Sequence, residues 1–138
     1  MTNEELLIIK GELSTDPLSL GLTTASEDDE VNANLLNEIR KSIRVYRSSA
    51  PANDIVIPVD ELGALNESQR SSWQIEVQDG SVNPSAYEAN FFSMFAENTE
   101  SRAIWESATK ESASRARQLL NRYVNLTPSD ISQARVAT

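Results

Sequence analysis

The sequence contains neither cysteine nor histidine. The absence of cysteine excludes disulfide bonds, thiolate zinc sites and cysteine nucleophiles, and the absence of histidine removes the commonest general base and transition-metal ligand. The chain has only four glycines, and they form no glycine-rich phosphate loop. A serine nucleophile would lack its usual histidine partner. We therefore predict that the chain is not an enzyme and that it holds no cofactor and no metal.

Basic residues are also scarce: 12 lysines and arginines face 21 aspartates and glutamates, for a formal net charge of −9. Such a charge argues against general binding to a phosphate backbone. No apolar run approaches the roughly 20 residues that span a bilayer, and the chain begins with acidic residues rather than the basic stretch of a secretory signal. We expect no membrane partner and a chain that stays in a cytoplasm or in a particle assembled there.

Length and composition favour a single helical domain. A chain of 138 residues can bury one core but is short for two. We predict a mostly α fold, a compact bundle of six or seven short to medium helices with at most a short strand pair. In this prediction residues 1–138 form one domain, with a linker at 48–54.

Capping motifs mark where several helices begin. Thr2 with Glu5, and Asn66 with Gln69, have the capping-box spacing, and proline favours the first turn of a helix. The predicted helices span 3–14, a short stretch after Pro58, Asn66 toward Asp79, a stretch from Asn83-Pro84, one capped by Thr99, a long one over 110–123 and a short one from Thr127-Pro128. The helix capped by Thr99 and the one over 110–123 are either two helices or a single bent one. Alternating apolar residues leave a strand as the alternative for 73–77, and 55–57 are predicted to be extended.

A regular apolar spacing predicts the longest helix, over 27–47. Val31, Leu35, Ile39 and Ile43 recur every four residues, with polar residues between them. The acidic run 27–30 precedes this stripe and has two interpretations. Either Ser26 caps the helix and the acids occupy its first turn, where the helix dipole favours negative charge, or the carboxylates bind a cation; we favour the first.

Large aromatic side chains concentrate in one predicted helix. Tyr87, Phe91, Met94 and Phe95 share one face of it, so they either form the core or line a ligand pocket or partner groove. We favour the core. We further predict that Phe91→Ala and Ile39→Ala each destabilise the chain by about 2 to 5 kcal/mol.

Two groups of basic residues are candidates for partner contact. Arg40, Lys41, Arg44 and Arg47 lie at the end of the helix predicted over 27–47, where cations match the helix dipole. Arg115, Arg117 and Arg122 lie on the outer face of the helix predicted over 110–123. Either group would suit an acidic partner or a phosphate.

Charge is distributed unevenly along the chain. Residues 1–38 contain nine acidic and one basic residue, whereas residues 100–138 contain four acidic and six basic residues. Because charge complementarity orients association, this asymmetry either orients the chain against copies of itself or other proteins, or is a chance feature of a chain this short.

Both ends of the chain carry recognisable motifs. The first is Lys10-Gly11-Glu12-Leu13-Ser14-Thr15-Asp16-Pro17-Leu18 followed by Gly21-Leu22; the second is Ser114-Arg115-Ala116 with Leu119, then Asp130 with Ala134-Arg135. These ends resemble a family of small tailed-bacteriophage proteins that begin with Lys-x-Glu-(Leu/Ile)-x-x-Asp-Pro-Leu and a Gly-Tyr, and this chain has Leu22 in place of that tyrosine. That family has a glycine turn where this chain has Asn121-Arg122-Tyr123. The likeness covers about 35 residues at the two ends.

This resemblance implies a non-enzymatic structural component of a tailed-phage virion. Such a protein acts by contacts with other virion proteins in the neck or tail module, as a homo-oligomer in a symmetric ring or array. The resemblance implies no catalytic residues. Two alternatives remain open: an assembly chaperone that leaves the finished particle, and a small cytoplasmic DNA-binding or regulatory protein that uses the arginines named above.

Overall fold

The computed structural model describes residues 1–138, which divide into two compact units. The terminal unit combines both ends of the chain, Met1–Arg44 and Ser112–Thr138. The central unit is the continuous segment Val45–Glu111. The chain thus leaves the first unit once and returns to it once.

Helices dominate, which confirms the predicted mostly α class. The eight α-helices are α1 (Asn3–Thr15), α2 (Asp29–Asn37), α3 (Val59–Gly63), α4 (Glu67–Val77), α5 (Pro84–Met94), α6 (Glu100–Thr109), α7 (Arg115–Leu120) and α8 (Pro128–Val136). The strands are β1 (Ile39–Tyr46), β2 (Ala50–Pro51), β3 (Ser81–Val82) and β4 (Lys110–Ser114), paired as β1 with β4 and β2 with β3. The chain therefore has one helix and one strand pair more than predicted.

In the terminal unit, helices from both ends of the chain share one core. Helix α8 packs against α1 and α2, and α7 also contacts both of those helices. Ile9, Leu36 and Ile131 are fully buried at the centre of this core. Burial of large apolar side chains is the main stabilising contribution here.

The central unit has an aromatic core. The rings of Phe91 and Trp105 stack with their centroids 4.2 Å apart, and Trp73 meets Phe91 edge-on at 5.5 Å. Tyr87 and Phe95 are also buried, at 6% and 3% exposure. Tyr87, Phe91 and Phe95 thus contribute to the core, which is the predicted role of the aromatic face of α5.

Helix starts agree with the capping motifs. Both bonds of the capping box form at Thr2 with Glu5, at Asn66 with Gln69, and at Thr127 with Asp130. Thr99 caps α6 through its side chain. Residues 73–77 are helical, so the strand alternative for that stretch was wrong.

The helix predicted over 27–47 is confirmed only for residues 29–37, and its extension to residue 47 was wrong. Helix α2 ends at Asn37, and the next residues form β1. Ile39, the third member of the predicted apolar stripe, is 72% exposed. Residues 39–46 are rich in β-branched and aromatic side chains, which suit a strand, and pairing with β4 supplies backbone partners that a four-residue period cannot reveal.

Two further expectations are corrected. The helix predicted over 110–123 begins only at Arg115, because residues 110–114 pair as β4 and Ser114 caps α7. The linker predicted at 48–54 contains β2, whose Ala50 is fully buried and pairs with Val82 of β3. Pro51 fits there because a short edge strand tolerates a residue without an N–H donor.

The acidic run 27–30 is divided between a 3₁₀ turn and the first turn of α2, and Ser26 does not cap the helix as predicted. Ser26 begins a 3₁₀ turn, Ser26–Asp28, and makes no capping hydrogen bond. Asp29 and Glu30 do lie in the first turn of α2. No group of three or more acidic side chains in the chain has a metal-binding arrangement.

Candidate interaction sites

Three ion pairs connect the acidic start of the chain to its basic end within the terminal unit. They join Glu5 to Arg122, Glu12 to Arg115, and Asp29 to Arg135, each through two hydrogen bonds of 2.6 to 3.1 Å. Bidentate arginine–carboxylate pairs are among the stronger polar contacts in proteins. Acidic residues near the start of the chain therefore form ion pairs with basic residues near its end, within this one unit.

Two of these arginines shift the acidity of their partners. The hydrogen bonds from Arg122, together with the backbone N–H of Thr2, lower the pKa of Glu5 from 4.5 to about 2. The hydrogen bonds from Arg135 likewise lower the pKa of Asp29. Both carboxylates therefore stay ionised in mildly acidic solution.

The second predicted group of basic residues does not form an open basic face. The Arg115 side chain is only 14% exposed and lies on Glu12, so its predicted outward orientation was wrong. Arg122 is bound to Glu5. The guanidinium carbon of Arg117 lies 3.9 Å from the ring centroid of Tyr123. A phosphate would have to displace two carboxylates before it could use Arg115 and Arg122.

The first predicted group lies on or just after β1 rather than at a helix end. The dipole explanation for these four cations was therefore wrong. Lys41 and Arg44 are exposed. Arg47 follows the strand and donates from Nη1 to the carbonyl oxygen of Ala108 at 3.2 Å. Arg40 donates from Nη2 to Glu38 at 2.9 Å and to the carbonyl oxygen of Leu35 at 3.2 Å.

Arg40 lies in a groove of about 450 Å³ in the terminal unit, which we call the Arg40 groove. It is lined by the apolar residues Leu18, Leu20, Leu35 and Ile43 and by the polar residues Ser19, Glu38, Arg40, Ser42 and Gln118. The Nε–H of Arg40 is buried and has no hydrogen-bond acceptor. An unsatisfied buried donor costs about 1 to 3 kcal/mol, so this group is unusual in a folded chain.

Asp16 fixes the loop at the rim of this groove. Its carboxylate accepts hydrogen bonds from the backbone N–H groups of Leu20, Gly21 and Leu22 at 2.8, 2.9 and 3.3 Å. Asp16 itself ends α1 in the left-handed conformation, with φ of 40°. Asp16 thus both ends α1, which was predicted over 3–14, and anchors the loop that follows.

A second groove, of about 620 Å³, lies in the central unit and contains Arg47. Its lining, which defines the Arg47 groove, comprises Arg47, Asp54, Glu100, Ala103, Ile104, Ser107 and Ala108. The bond from Arg47 to the backbone holds its guanidinium in place. The groove therefore presents charges of both signs.

A polar network connects three elements of the central unit. Glu88 accepts a hydrogen bond from the indole Nε1 of Trp105 at 3.2 Å and also binds the phenol of Tyr46. Burial, followed by the contact with Glu88, raises the pKa of Tyr46, so its phenol stays protonated and donates. Lys110 lies over the Tyr46 ring and pairs with Glu106. Through Tyr46, Glu88 and Trp105 the network joins β1, α5 and α6, and Lys110 adds the start of β4.

Comparisons with protein-family models, with curated proteins and with solved structures find no match to this chain. None of its helices is both long enough and apolar enough to cross a membrane.

The sequence identified Arg115 and Arg122 as candidate contact residues, but it did not reveal the carboxylates that bind them. Glu5, Glu12 and Asp29 lie more than 100 residues from the arginines that bind them. The one available signal was the charge asymmetry, whose two interpretations were intermolecular orientation and chance. Arg135 appeared only as a member of the terminal motif.

Proposed function

We propose that this chain is a non-enzymatic structural component of a tailed-phage virion that acts by protein–protein contacts in the neck or tail module. One observation supports the proposal most strongly: the residues that carry the resemblance to the phage family hold the terminal unit together. Lys10 donates to the carbonyl oxygen of Ala137 at 2.7 Å, Glu12 binds Arg115, and Arg135 binds Asp29.

The turn after α7 departs from the family pattern, since this chain has no glycine there, but its backbone is compatible with a glycine turn. Asn121 adopts φ of 52°, a left-handed conformation that glycine favours and asparagine tolerates. The phage family has a glycine turn at this point. The substitution in this chain therefore preserves the backbone conformation that such a turn requires.

A structural role also agrees with how the polar residues are used. The charged motif side chains bind one another, Asp29 or the backbone, which stabilises a scaffold. The surface that remains has several grooves, the Arg40 and Arg47 grooves among them, and several exposed apolar side chains, among them Val56, Val59 and Ile75 at 70%, 87% and 65% exposure. Such surfaces suit contacts with other proteins.

The central unit carries most of the net charge. It contains 11 acidic and 4 basic residues, for a net charge of −7, whereas the terminal unit has 10 acidic and 8 basic residues. We propose that several copies occupy a symmetric ring or array, in which the acidic central units contact other virion proteins.

Mass spectrometry of purified particles tests this function. Virions of the phage that encodes the chain are banded on a density gradient and digested, with the major capsid protein as a positive control and an early replication protein as a negative control. We expect the chain in the particle at a fixed ratio to the capsid protein. Its absence from particles would contradict the proposal.

Assembly intermediates separate the chaperone alternative. A chaperone would be found on partly built neck or tail structures and would be missing from complete virions. For the DNA-binding alternative, retention of the purified chain on a duplex-DNA column at low salt is the relevant measurement. We expect none, because Arg115 and Arg122 are already paired with carboxylates.

A further inference from the structure

We propose that the Arg47 groove binds an extended segment of a partner protein in which an acidic and a basic side chain lie two residues apart. The acidic side chain contacts Arg47, and the basic side chain contacts Asp54 and Glu100. The inference deepens the proposed function, on which it rests for the existence of a protein partner. It assigns that contact to the acidic central unit and specifies the chemistry that the partner presents.

The charged side chains of this groove have no counterions within the chain. The side chain of Arg47 makes one hydrogen bond, from Nη1 to the carbonyl oxygen of Ala108 at 3.2 Å. Asp54 and Glu100 are exposed, and their carboxylates form neither an ion pair nor a hydrogen bond. None of their carboxylate oxygens lies within 4.0 Å of a guanidinium nitrogen of Arg47. The groove therefore contains charges of opposite sign that are not paired with each other.

The guanidinium of Arg47 favours a carboxylate. Its Nε and Nη2 have no hydrogen-bond acceptor, and neither atom is buried. In the terminal unit the same two arginine nitrogens hold the carboxylates of Glu5, Glu12 and Asp29. A carboxylate that accepts from both atoms forms the bidentate geometry that makes arginine a strong carboxylate binder. Because the bond to Ala108 already holds the guanidinium in place, binding has to order it little further.

The other charges of the lining favour a basic side chain beside that carboxylate. Asp54 and Glu100 outnumber Arg47, so the lining has a net charge of −1, and the central unit as a whole has a net charge of −7. A purely acidic segment would meet two carboxylates, and a purely basic segment would meet the guanidinium. Because charge complementarity selects among partners, the lining favours a segment that carries one charge of each sign.

The uncharged part of the lining suits the stems of long side chains. Ala103, Ile104 and Ala108 contribute apolar surface to a groove of about 620 Å³. Lysine and glutamate side chains can cover such a surface with their methylene groups while their charged ends contact polar groups. In an extended segment, residues two apart point to the same side, so both stems can lie in the groove together.

Matched peptides test the proposal on the intact 138-residue chain. The probes are N-acetyl-Lys-Ala-Glu-amide and the reversed N-acetyl-Glu-Ala-Lys-amide, each with one analogue in which norleucine replaces lysine and one in which glutamine replaces glutamate. They are titrated into the ¹⁵N-labelled protein at low salt. We expect at least one of the two parent peptides to shift the amide signals of Arg47, Ser107 and Ala108, and to bind at least about threefold more tightly than either of its analogues. Absence of binding by both parents, an analogue that binds as tightly as its parent, or shifts confined to other residues would overturn the proposal.

Charge variants assign each contact to its partner. Arg47→Gln should weaken the parent peptide about threefold or more and leave its glutamine analogue unchanged. The double variant Asp54→Asn with Glu100→Gln should weaken the parent to a similar extent and leave its norleucine analogue unchanged. The double variant Glu67→Gln with Asp79→Asn is the matched control, because it removes two exposed acidic side chains of the same unit that lie outside the groove. It should change the affinity less than about 1.5-fold, and equal effects of the two double variants would overturn the proposal.

Ser107→Leu tests the groove without removing a charge. Ser107 is exposed on α6 and lines the groove, so leucine fills part of the space while α6 gains a residue of higher helix propensity. This variant should abolish binding of the peptides while the rest of the spectrum stays that of the folded chain. Unchanged binding would overturn the proposal even if Arg47→Gln fails to fold.

The outcome is separable from that of the proposed function. Failure of the peptides to bind leaves detection of the chain in virions unaffected. Absence from virions, in turn, leaves the affinity of the groove for the parent peptide as measured.

Discussion

Arg115 and Glu12 form a nearly buried, bidentate ion pair between two segments that are 103 residues apart in the chain. The Nε of Arg115 lies 2.6 Å from Oε1 of Glu12, and its Nη2 lies 3.0 Å from Oε2. The two side chains retain only 14% and 5% of their exposure. Both charges are thus largely removed from water, so each depends on the other for compensation.

Removing either partner should therefore destabilise the chain strongly. We expect Glu12→Gln and Arg115→Gln each to lower the free energy of unfolding by about 3 kcal/mol, because each leaves a charge buried without its partner. The double variant should lose less than the sum of the two single variants. Urea unfolding followed by far-ultraviolet circular dichroism measures this, since the terminal unit contains no tryptophan.

The pair between Glu5 and Arg122 provides a matched control in the same unit. It is also bidentate, but its arginine is 45% exposed and its glutamate 18%. Exposed pairs contribute little because water and salt screen them. Arg122→Gln should thus destabilise clearly less than Arg115→Gln, and equal losses would contradict the role assigned to burial.

The pKa of Glu5 predicts how stability depends on pH. Arg122 lowers this pKa in the folded chain from its ordinary 4.5 to about 2. Between these two values the unfolded chain binds more protons, so the stabilisation is fully present above about pH 4.5 and is lost as the pH falls toward about 2. Asp29, whose pKa is lowered by Arg135, changes stability in the same direction.

Comparison with Glu5→Gln isolates this contribution. The melting temperatures of the wild type and the variant are measured at low salt at several pH values. The difference between them should be largest at about pH 6 and should shrink toward about pH 2, where the wild-type carboxylate becomes protonated. A difference that stays constant over this range would show that the charge of Glu5 does not stabilise the fold.

Helix starts could be predicted from the sequence because their chemistry is local. Thr2 with Glu5, and Asn66 with Gln69, satisfy backbone N–H groups three residues away. A bond of this range depends only on residues that are adjacent in the sequence. Part of the aromatic core of the central unit was accessible for a similar reason, since Tyr87 and Phe91 lie close together in α5 and Phe95 directly follows it.

The segment 39–46 shows why other elements could not be predicted. Its apolar residues fit a helical stripe with the residues before it, and they fit a strand by themselves. The choice depends on pairing with β4, which follows more than 60 residues later. Side-chain spacing within one segment carries no information about a strand partner that far along the chain.

The candidate sites illustrate the same limit. Arg40 and Arg47 were selected for their charge, and each lines a groove. Their surroundings come from separate stretches of the chain, so the grooves themselves could not be inferred. Arg115 was selected as an outward cation, whereas its long-range partner Glu12 makes it part of the scaffold.

Phe91 and Ile39 should now respond differently to truncation. Phe91 is fully buried against Trp105, so Phe91→Ala should lower the free energy of unfolding by about 3 to 5 kcal/mol. Ile39 is 72% exposed, and Ile39→Ala should change it by less than about 1 kcal/mol. The sequence alone predicted the same loss of about 2 to 5 kcal/mol in the free energy of unfolding for both variants. Urea unfolding is followed by tryptophan fluorescence for Phe91→Ala and by circular dichroism for both; similar losses would contradict the burial of these residues.

Asn32 supplies the last prediction, because its fully buried side chain acts as a backbone partner for the loop before α2. Its Oδ1 accepts from the N–H of Thr23 at 3.1 Å, and its Nδ2 donates to the carbonyl oxygen of Thr23 at 2.9 Å. Asn32→Ala removes both partners and leaves two backbone groups unsatisfied, so we expect a loss of about 2 kcal/mol in the free energy of unfolding.

Asn34 is the control, since it lies on the same helix and is exposed. Asn34→Ala should be neutral or stabilising by up to about 0.5 kcal/mol, because alanine has the higher helix propensity. Urea unfolding followed by circular dichroism compares the two variants. If Asn32→Ala were as stable as Asn34→Ala, the loop would not depend on this side chain, and the helix propensity of alanine would outweigh the two lost hydrogen bonds.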